Sequence, residues 1–157
     1  MAESLSLDRT DLRLLVLLQQ DGRATNTDIA AQISLSPSAC LRRIQRLEAA
    51  GVIRGYAALV DPKAVGLGLQ AFVRVQLEKH GQAGLDPFIE GVNNWDEVVA
   101  CHALTGDMDY LLHVVVQDLE HFSQFLLDKL INATGVADVN SSFVLRTVKQ
   151  TRALPLG

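Results

Sequence analysis

The sequence predicts an α+β protein of two domains, a small helical domain followed by a sheet domain with the element order βαββαβ. In the first part of the chain apolar side chains recur at the spacing of amphipathic helices, whereas from residue 69 onward they alternate as in strands. A glycine- and proline-marked joint separates the two patterns. We therefore predict a helical domain with a short exit strand at residues 1–60, a linker at 61–68 and a second domain at 69–157.

Three short helices are predicted in the first domain. Asp8 is a good cap for the first helix, with Asp11 three residues on as its capping-box partner, and Asp21, followed by glycine, ends it. Thr25 or Asn26 caps the second helix, and a tight connection leads into the third. Three short helices, the last two joined by a tight turn, are typical of a helix-turn-helix domain, here expected to be winged-helix-like. An extended exit strand is predicted after them at residues 57–60.

The third predicted helix has both of its ends marked in the sequence. Ser36 can cap its first free N–H groups, Pro37 fits its first position, and Gly51 follows its last turn. Its apolar side chains form one stripe, and arginines at positions 42, 43 and 46 lie off that stripe. A capped helix with a basic outer face suits the major groove of DNA. Three arginines alone are as typical of a solvated surface helix, and the helix-turn-helix arrangement upstream favours DNA.

The charge distribution is compatible with DNA binding, although the net charge of −4 argues against it at first sight. Residues 1–60 carry seven Lys and Arg against six Asp and Glu, a net charge of +1, whereas residues 61–157 carry seven against twelve, a net charge of −5. Residues 37–54 carry four arginines against one glutamate, a net charge of +3. A local basic patch on a near-neutral domain is compatible with a DNA-binding module.

The second domain is predicted from alternating strands and two amphipathic helices. Strands are expected at residues 69–78, 95–104, 110–116 and 136–148, and helices at residues 86–92 and 119–130, the latter capped by Asp118. This order is that of the ferredoxin-like split βαβ fold. Because helices cover only one face of such a sheet, the other face would be polar in a monomer.

The second face of this sheet is predicted to be apolar instead. Val98, Val99 and nearly every residue of 111–116 are apolar at successive positions, so both faces require cover. The simplest cover is the same face of a second copy, related by a two-fold axis. A tilted sheet or an ordinary apolar patch would produce the same pattern.

Several classes of protein find no support in the sequence. It shows no leader and no apolar run long enough to span a bilayer, so we expect a cytoplasmic protein without a membrane partner. Cys40 and Cys101 form no CxxC motif and are expected to be free buried thiols, and the four histidines show no metal-ligand spacing. No Ser/His/Asp arrangement, phosphate loop or pair of catalytic acids indicates an enzyme or a bound cofactor.

Four segments, taken together and in order, are highly specific for one family. They are the opening helix at residues 7–23, the third helix and exit run at residues 35–56, the turn LTGDMDYLL at residues 104–112 and the ending TRALPL at residues 151–156. In these segments the chain resembles the Lrp/AsnC (feast/famine) family of transcription regulators. The resemblance covers essentially the whole chain.

The resemblance implies a DNA-binding domain followed by an amino-acid-binding (RAM) domain, with double-stranded DNA and a free amino acid as partners. It implies dimers that pair through their C-terminal sheets and commonly assemble into octamers. An amino acid is expected to bind between subunits near the glycine–aspartate turn and to alter assembly or DNA affinity. The alternatives are a DNA-organising protein of similar build with little sequence preference, and a small enzyme with a ferredoxin-like core, which would leave the basic helix unexplained.

Contacts with DNA are expected from the third helix and its surroundings. The expected residues are Asn26, Thr27, Ser36, Ser38, Ala39, Arg42, Arg43, Arg46 and Arg54. Arginine can pair bidentately with guanine or neutralise phosphate, and both roles are open to each arginine of the helix. Asn26 and Thr27 contact phosphate through a helix N-terminus or serve only as caps, and Arg54 reaches phosphate or only solvates the exit strand.

Contacts with the amino-acid effector are expected at two turns of the second domain. The expected residues are Leu104, Thr105, Gly106, Asp107, Asp109, Tyr110, Thr134, Gly135 and Val136. Asp107 and Asp109 supply carboxylates for the ammonium group, and the backbone at Gly106 can approach the ligand carboxylate closely. Asp109 fixing the turn, and Tyr110 as plain core, are the alternative roles. The second turn would contribute from the neighbouring subunit.

Overall fold

The structure, a computed structural model, describes residues 6–78 and 85–156. It contains two compact units, the helical unit of Met1–Leu59 with Lys149–Gly157 and the sheet unit of Val60–Val148. The predicted boundaries differ from this division at the C-terminus, because we predicted that residues 149–157 belong to the sheet domain. The predicted linker, residues 61–68, belongs to the sheet unit.

The helical unit contains the three predicted helices, α1 (Arg9–Gln20), α2 (Asn26–Gln32) and α3 (Pro37–Ala49). Asp8 caps α1 in a capping box with Asp11, as predicted. The cap of α2 is Thr25, whose hydroxyl accepts from the Asp28 N–H, so of the two candidates Asn26 is the first helical residue instead. These caps satisfy N–H groups that the helices cannot satisfy internally.

The third helix begins and ends where the sequence predicts. The Ser36 hydroxyl accepts from the Ala39 N–H at 3.2 Å, and Pro37 occupies the start of the helix. Gly51 has a φ of +70°, the left-handed conformation that favours glycine after a helix. The core beneath the three helices contains Leu14, Ile29, Cys40 and Leu47, all at most 1% exposed.

The predicted exit strand at residues 57–60 is wrong for the single chain. These residues belong to no strand, and no described strand pairs with them. A strand requires a neighbour that satisfies its backbone N–H and C=O groups. Leu59 and Val60 accordingly remain 77% and 62% exposed.

The C-terminal tail belongs to the helical unit because its backbone docks on α1. The side-chain amide of Gln19 donates to the Leu154 carbonyl at 3.3 Å and accepts from the Leu154 N–H at 2.6 Å. Leu156 packs against the helical core. The amide of Gln19 therefore takes the place of a neighbouring strand for one residue of the tail.

The sheet unit has the predicted order βαββαβ. Its elements are β1 (Leu69–Leu77), α4 (Leu85–Asn94), β2 (Val98–Ala103), β3 (Tyr110–Val116), α5 (Leu119–Gln124) and β4 (Val136–Phe143). A π-helical turn, Phe125–Leu130, continues α5. All strand pairs are antiparallel in the order β2-β3-β1-β4, so the ferredoxin-like topology is confirmed.

Strand β4 ends before the predicted residue 148. Phe143 pairs with Ala71, and the Val144 N–H donates to the Gln70 carbonyl as the last bond of the ladder. Because β1 begins at Leu69, β4 has no further partner, and Leu145 is 99% exposed. Strand β2 likewise begins at Val98 rather than at residue 95.

The two faces of the sheet differ in their cover. The face toward the helices contributes the fully buried side chains Ala71, Val73, Val75, Leu112, Val114 and Val116. On the other face Phe72 is 41% exposed and stacks on His113, with ring centroids 4.8 Å apart. Val99, at an irregularity of the β2–β3 ladder, is 58% exposed. We call this second face the open face of the sheet.

Three further features bear on the sequence analysis. None of the helices in the described part of the chain has the length and apolar character to cross a membrane. Cys40 is buried and Cys101 half-buried, and both thiols are free. Among residues 6–78 and 85–156, no group of His, Cys, Asp and Glu is arranged to hold a metal ion.

Candidate DNA-binding and effector sites

The N-terminal end of α3 presents a small polar surface. Ser36 and Ser38 are exposed, their hydroxyl oxygens lie 3.2 Å apart, and Ala39 beside them is half-buried. One turn further on, Arg42 is exposed, and no carboxylate among the described residues pairs with it. Small side chains at the start of the helix, followed by an arginine without a carboxylate partner, allow α3 to approach base edges and phosphates of DNA closely.

Arg43 and Arg46, unlike Arg42, make internal ion pairs. The Arg43 Nη1 lies 2.7 Å from both the Asp8 Oδ2 and the Asp11 Oδ1. The Arg46 Nη2 lies 2.5 Å from the Asp11 Oδ2. The Asp11 side chain is fully buried, whereas those of Arg43 and Arg46 are 28% and 44% exposed. We call this group, Asp8, Asp11, Arg43 and Arg46, the ion cluster.

The ion cluster changes the electrostatics of α3. Hydrogen bonds from the Asp11 N–H, and then from Arg43, hold the pKa of Asp8 below its usual range. Hydrogen bonds to Asp8, and then to Asp11, raise the pKa of Arg43. Two carboxylates balance two guanidinium groups, so the basic face that the sequence predicts is carried by Arg42 more than by its neighbours.

The sequence predicts Asp8 and Asp11 as helix caps and gives no prediction of their ion pairs with α3. Both residues do cap α1, with the Asp8 Oδ1 accepting from the Asp11 N–H at 2.7 Å. Their second role depends on how α1 crosses α3, because the partners lie 32 and 35 residues away. The only signal in the sequence is an excess of acids in the first turn of α1 together with an arginine pair on α3.

Asn26 and Thr27 differ in their surroundings. The Asn26 side-chain amide donates to the Pro37 carbonyl at 2.7 Å, which ties the start of α2 to the first turn of α3. Its Oδ1 is buried without a partner among the described residues. Thr27 is exposed. Arg54 is also exposed, in the extended run that follows α3.

The first expected effector turn is held in shape by Asp109. The Asp109 Oδ2 accepts from the Leu77 N–H at 2.7 Å, and the Asp109 N–H donates to the Val75 carbonyl at 3.0 Å. The Asp109 carbonyl accepts from the Leu104 N–H at 2.8 Å and closes the turn. The structure therefore gives Asp109 the turn-fixing role, which was one of the two alternatives.

The remaining side chains of this turn face solvent. Leu104, Thr105, Gly106 and Asp107 are exposed. Gly106 has a φ of +120°, and no atom lies within 4 Å of the place where a Cβ would stand. Tyr110 is half-buried, with its ring 5.1 Å from that of Phe88 in the core of the sheet unit.

The second expected turn lies beside the same end of β1. The Glu78 N–H donates to the Gly135 carbonyl at 2.8 Å, and Val136 pairs with Leu77. Because Leu77 also binds Asp109, both turns converge on the end of β1 within one chain. Thr134 is exposed, and Gly135 has a φ of +86°.

A pocket of about 450 Å³ lies elsewhere in the sheet unit. It is lined by Val92, Asn93, Trp95, Asp96, Val98, Val99, Ala100 and Cys101, at the end of α4 and along β2. None of the expected effector residues lines this pocket. The lining residues carry no binding motif, and Val98, Val99 and Cys101 were named from the sequence only as apolar strand residues and a free thiol.

A helix-turn-helix unit with an accessible α3, joined to a ferredoxin-like unit with two convergent turns, defines a DNA-binding regulator with a separate sensing domain. Two family models match the chain: winged helix-turn-helix DNA-binding at residues 7–54 and the Lrp/AsnC ligand binding domain at residues 70–154. The chain belongs to the Lrp/AsnC family, as the resemblance predicted. It is a DNA-binding transcriptional regulator that carries a ligand-binding domain.

Relatives agree over nearly the whole chain. A transcriptional regulator from Neisseria meningitidis, solved as a complex with L-methionine, is 48% identical with a TM-score of 0.93, covering 96% of this chain and 97% of that one. The glutamate uptake regulatory protein of Zymomonas mobilis is 39% identical over 96% of this chain and 91% of its own length. The transcriptional regulator AzlB of Bacillus subtilis is 35% identical over 96% of each chain.

Proposed function

We propose that this regulator acts in the cytoplasm as a homo-oligomer, built from dimers and assembling into octamers, and that it responds to a free amino acid. Binding of the amino acid changes assembly or the affinity for DNA. The function is regulatory, with no enzymatic step. The observation that carries the proposal is the exposed N-terminal part of α3, where no carboxylate of residues 6–78 and 85–156 pairs with Arg42, in a chain that also contains the ligand-binding domain.

The proposed DNA interface consists of the N-terminal end of α3 and the residues next to it. Ser36, Ser38, Ala39 and Arg42 enter the major groove, where Arg42 pairs with a base edge or a phosphate. Arg43 and Arg46 contribute the exposed parts of their guanidinium groups to the phosphate backbone. Asn26, Thr27 and Arg54 flank this surface, with Thr27 and Arg54 exposed toward a backbone phosphate.

The proposed effector site is the surface where both turns meet the end of β1. Asp107 is exposed and supplies the carboxylate for the ligand ammonium, while the backbone at Thr105 and Gly106 donates to the ligand carboxylate. Leu104, Tyr110 and the second turn, residues 134–136, complete its walls. Asp109 holds the turn in place through Leu77 rather than contacting the ligand.

The first amino acid to test is L-methionine. The Neisseria meningitidis relative was solved with L-methionine and is 48% identical to this chain. Exposed apolar groups beside the turn, such as Leu104 at 42% exposure, suit an unbranched apolar side chain. Calorimetry with a panel of all common amino acids tests this choice. Heat from methionine supports it, whereas no heat and no shift in melting temperature with any member of the panel would defeat an amino-acid effector.

The proposed dimer buries the open face of the sheet. Phe72 and Val99 are exposed on this face, and the Phe72 ring is already stacked on His113. A second copy related by a two-fold axis covers these apolar side chains with the same face. Size-exclusion chromatography with light scattering should show a dimer or larger at micromolar concentration, and a stable monomer would contradict the pairing.

Gel-shift assays on genomic fragments, with and without each amino acid, test the regulatory function. We expect discrete complexes on a few fragments, footprints with half-sites spaced by helical turns, and a change in affinity or in complex size with the effector. Broad protection that depends only on fragment length would favour the DNA-organising alternative instead.

A further inference from the structure

The two carboxylates that bind Arg43 differ in how firmly they are built into the protein. Asp11 is fully buried and binds both Arg43 and Arg46, whereas Asp8 is 52% exposed and binds only Arg43. Both carboxylates reach the same nitrogen, the Arg43 Nη1, at 2.7 Å. Arg43 therefore has one permanent anion inside the protein and one at its surface.

We propose that Asp8 is a built-in competitor of the DNA backbone, which occupies Arg43 in the free protein and is displaced by a phosphate on binding. This inference rests on the proposed placement of Arg43 at the DNA interface. It assigns Asp8 the role of a residue that weakens binding to any DNA. Asp11 is the positioning residue that keeps Arg43 on α3 during the exchange.

Breaking the ion pair of Arg43 with Asp8 requires little free energy, whereas breaking its ion pair with Asp11 requires much more. Exposed ion pairs contribute little to stability because water and salt screen them, so a phosphate can replace the Asp8 carboxylate. Phosphate also accepts two parallel N–H bonds from a guanidinium group. Releasing Asp11 would instead deprive a fully buried carboxylate of one of its two guanidinium partners. Arg43 therefore turns toward DNA while one of its bonds remains in place.

The two oxygens of the Asp8 carboxylate have different partners, so the cap and the ion pair can be tested separately. Its Oδ1 accepts from the Asp11 N–H and caps α1, and its Oδ2 binds Arg43. Asparagine is as good a cap as aspartate, so Asp8→Asn keeps the cap and replaces the charged acceptor of Arg43 with a neutral amide NH2. Asp8→Ser also keeps a capping oxygen and serves as a second variant. The control is Asp21→Asn, the same chemical change at the other end of α1.

The salt dependence of DNA binding distinguishes displacement of Asp8 from Arg43 by a phosphate from the effect of simply removing one negative charge from the protein. In the wild type, the phosphate that Arg43 contacts releases its counterion, but the displaced Asp8 carboxylate attracts a cation in exchange, so the net release of ions is small. In Asp8→Asn the same contact releases about 0.9 counterion, and the plot of log K against log salt steepens by about 0.9 per protomer. At low salt we expect binding of a mixed-sequence duplex to tighten by about 1.5- to 5-fold per protomer.

The experiment measures the anisotropy of a labelled mixed-sequence duplex with full-length protein between about 50 and 200 mM salt. Both Asp8 variants should bind more tightly with a steeper slope, Asp21→Asn should keep the wild-type slope, and Arg43→Gln should bind more weakly. If Arg43→Gln weakens binding but both Asp8 variants keep the wild-type slope, the competitor role of Asp8 is overturned and the interface stands. If Arg43→Gln changes neither affinity nor slope, Arg43 does not face DNA and the inference falls with that assignment.

Discussion

Replacing the buried carboxylate of the ion cluster should destabilise the helical unit more than any other single change of charge in it. Asp11 accepts bonds from Arg43, Arg46 and the Asp8 N–H, and its side chain is fully buried. Asp11→Asn is nearly isosteric, so it creates no cavity. It removes the charge that both guanidinium groups require and leaves them facing a neutral amide.

The magnitude follows from burial. Removing one partner of a fully buried ion pair costs about 3–5 kcal/mol. The side chains of Arg43 and Arg46 are 28% and 44% exposed, so their unpaired charges can still reach water. We therefore expect a loss of about 2–3 kcal/mol, at or below the lower bound of that range. For a chain of this length that loss lowers the melting temperature by about 5–10 °C.

Differential scanning calorimetry of the full-length protein measures this loss, with Asp21→Asn as the matched control. A double-mutant cycle with Arg46→Gln then isolates the pair, and a coupling above about 1 kcal/mol is expected for groups in direct contact. A melting temperature for Asp11→Asn no lower than that of Asp21→Asn would refute the reasoning, because the buried carboxylate would then contribute nothing.

Three further outcomes are expected. Gln19→Ala should release the C-terminal tail and accelerate tryptic cleavage at Arg152. Gln20→Ala, next to it on α1, should not. Equal cleavage of the two variants would mean that the hydrogen bonds between Gln19 and Leu154 do not hold the tail in place. Gly106→Ala should weaken amino-acid binding measured by calorimetry, since a φ of +120° strains any residue with a Cβ by about 1 kcal/mol or more; unchanged binding would separate the turn from the effector site. The pKa of Asp8 is lowered from 3.8, so its contribution to stability is present above that pH and is lost as the pH falls through the folded-state pKa. The melting temperatures of wild type and Asp8→Asn should therefore converge as the pH falls through the lowered pKa of Asp8, and a constant difference at every pH would contradict this assignment.

Local features of the fold could be predicted from the sequence because they depend on neighbouring residues. The capping box of Asp8 and Asp11, the cap at Ser36 and the left-handed Gly51 all lie within a few positions of the helix ends that they define. The alternation of apolar and polar residues likewise identified β1 and β3 within a residue of their bounds.

Features that depend on distant partners were predicted less well. Asp11 meets Arg46 across 35 residues, and Gln19 meets Leu154 across 135. Neither contact leaves a periodic signal, because each depends on how elements cross rather than on spacing along one element. The end of β4 depends in the same way on where β1 begins, and only the register of that pair fixes it.

In the candidate sites, too, features set by neighbouring residues could be predicted, and features set by distant residues could not. Ser36 was identified as a cap from local chemistry, and it caps α3 in the structure. Gly106 has a φ of +120°, and its place in the effector site stays a prediction. Arg42, Arg43 and Arg46 could not be ranked from their spacing, because the ranking depends on Asp8 and Asp11 in another helix.

The affinity of Arg42→Gln for a bound genomic fragment, measured at one fixed salt concentration, tests most directly whether the N-terminal end of α3 reads DNA. Arg13→Gln is the matched control, since it removes the same charge from α1 of the same unit. Loss of a base contact by Arg42 should weaken binding by about tenfold or more, while the control changes it little. Equal affinity of wild type and Arg42→Gln would contradict the proposed interface.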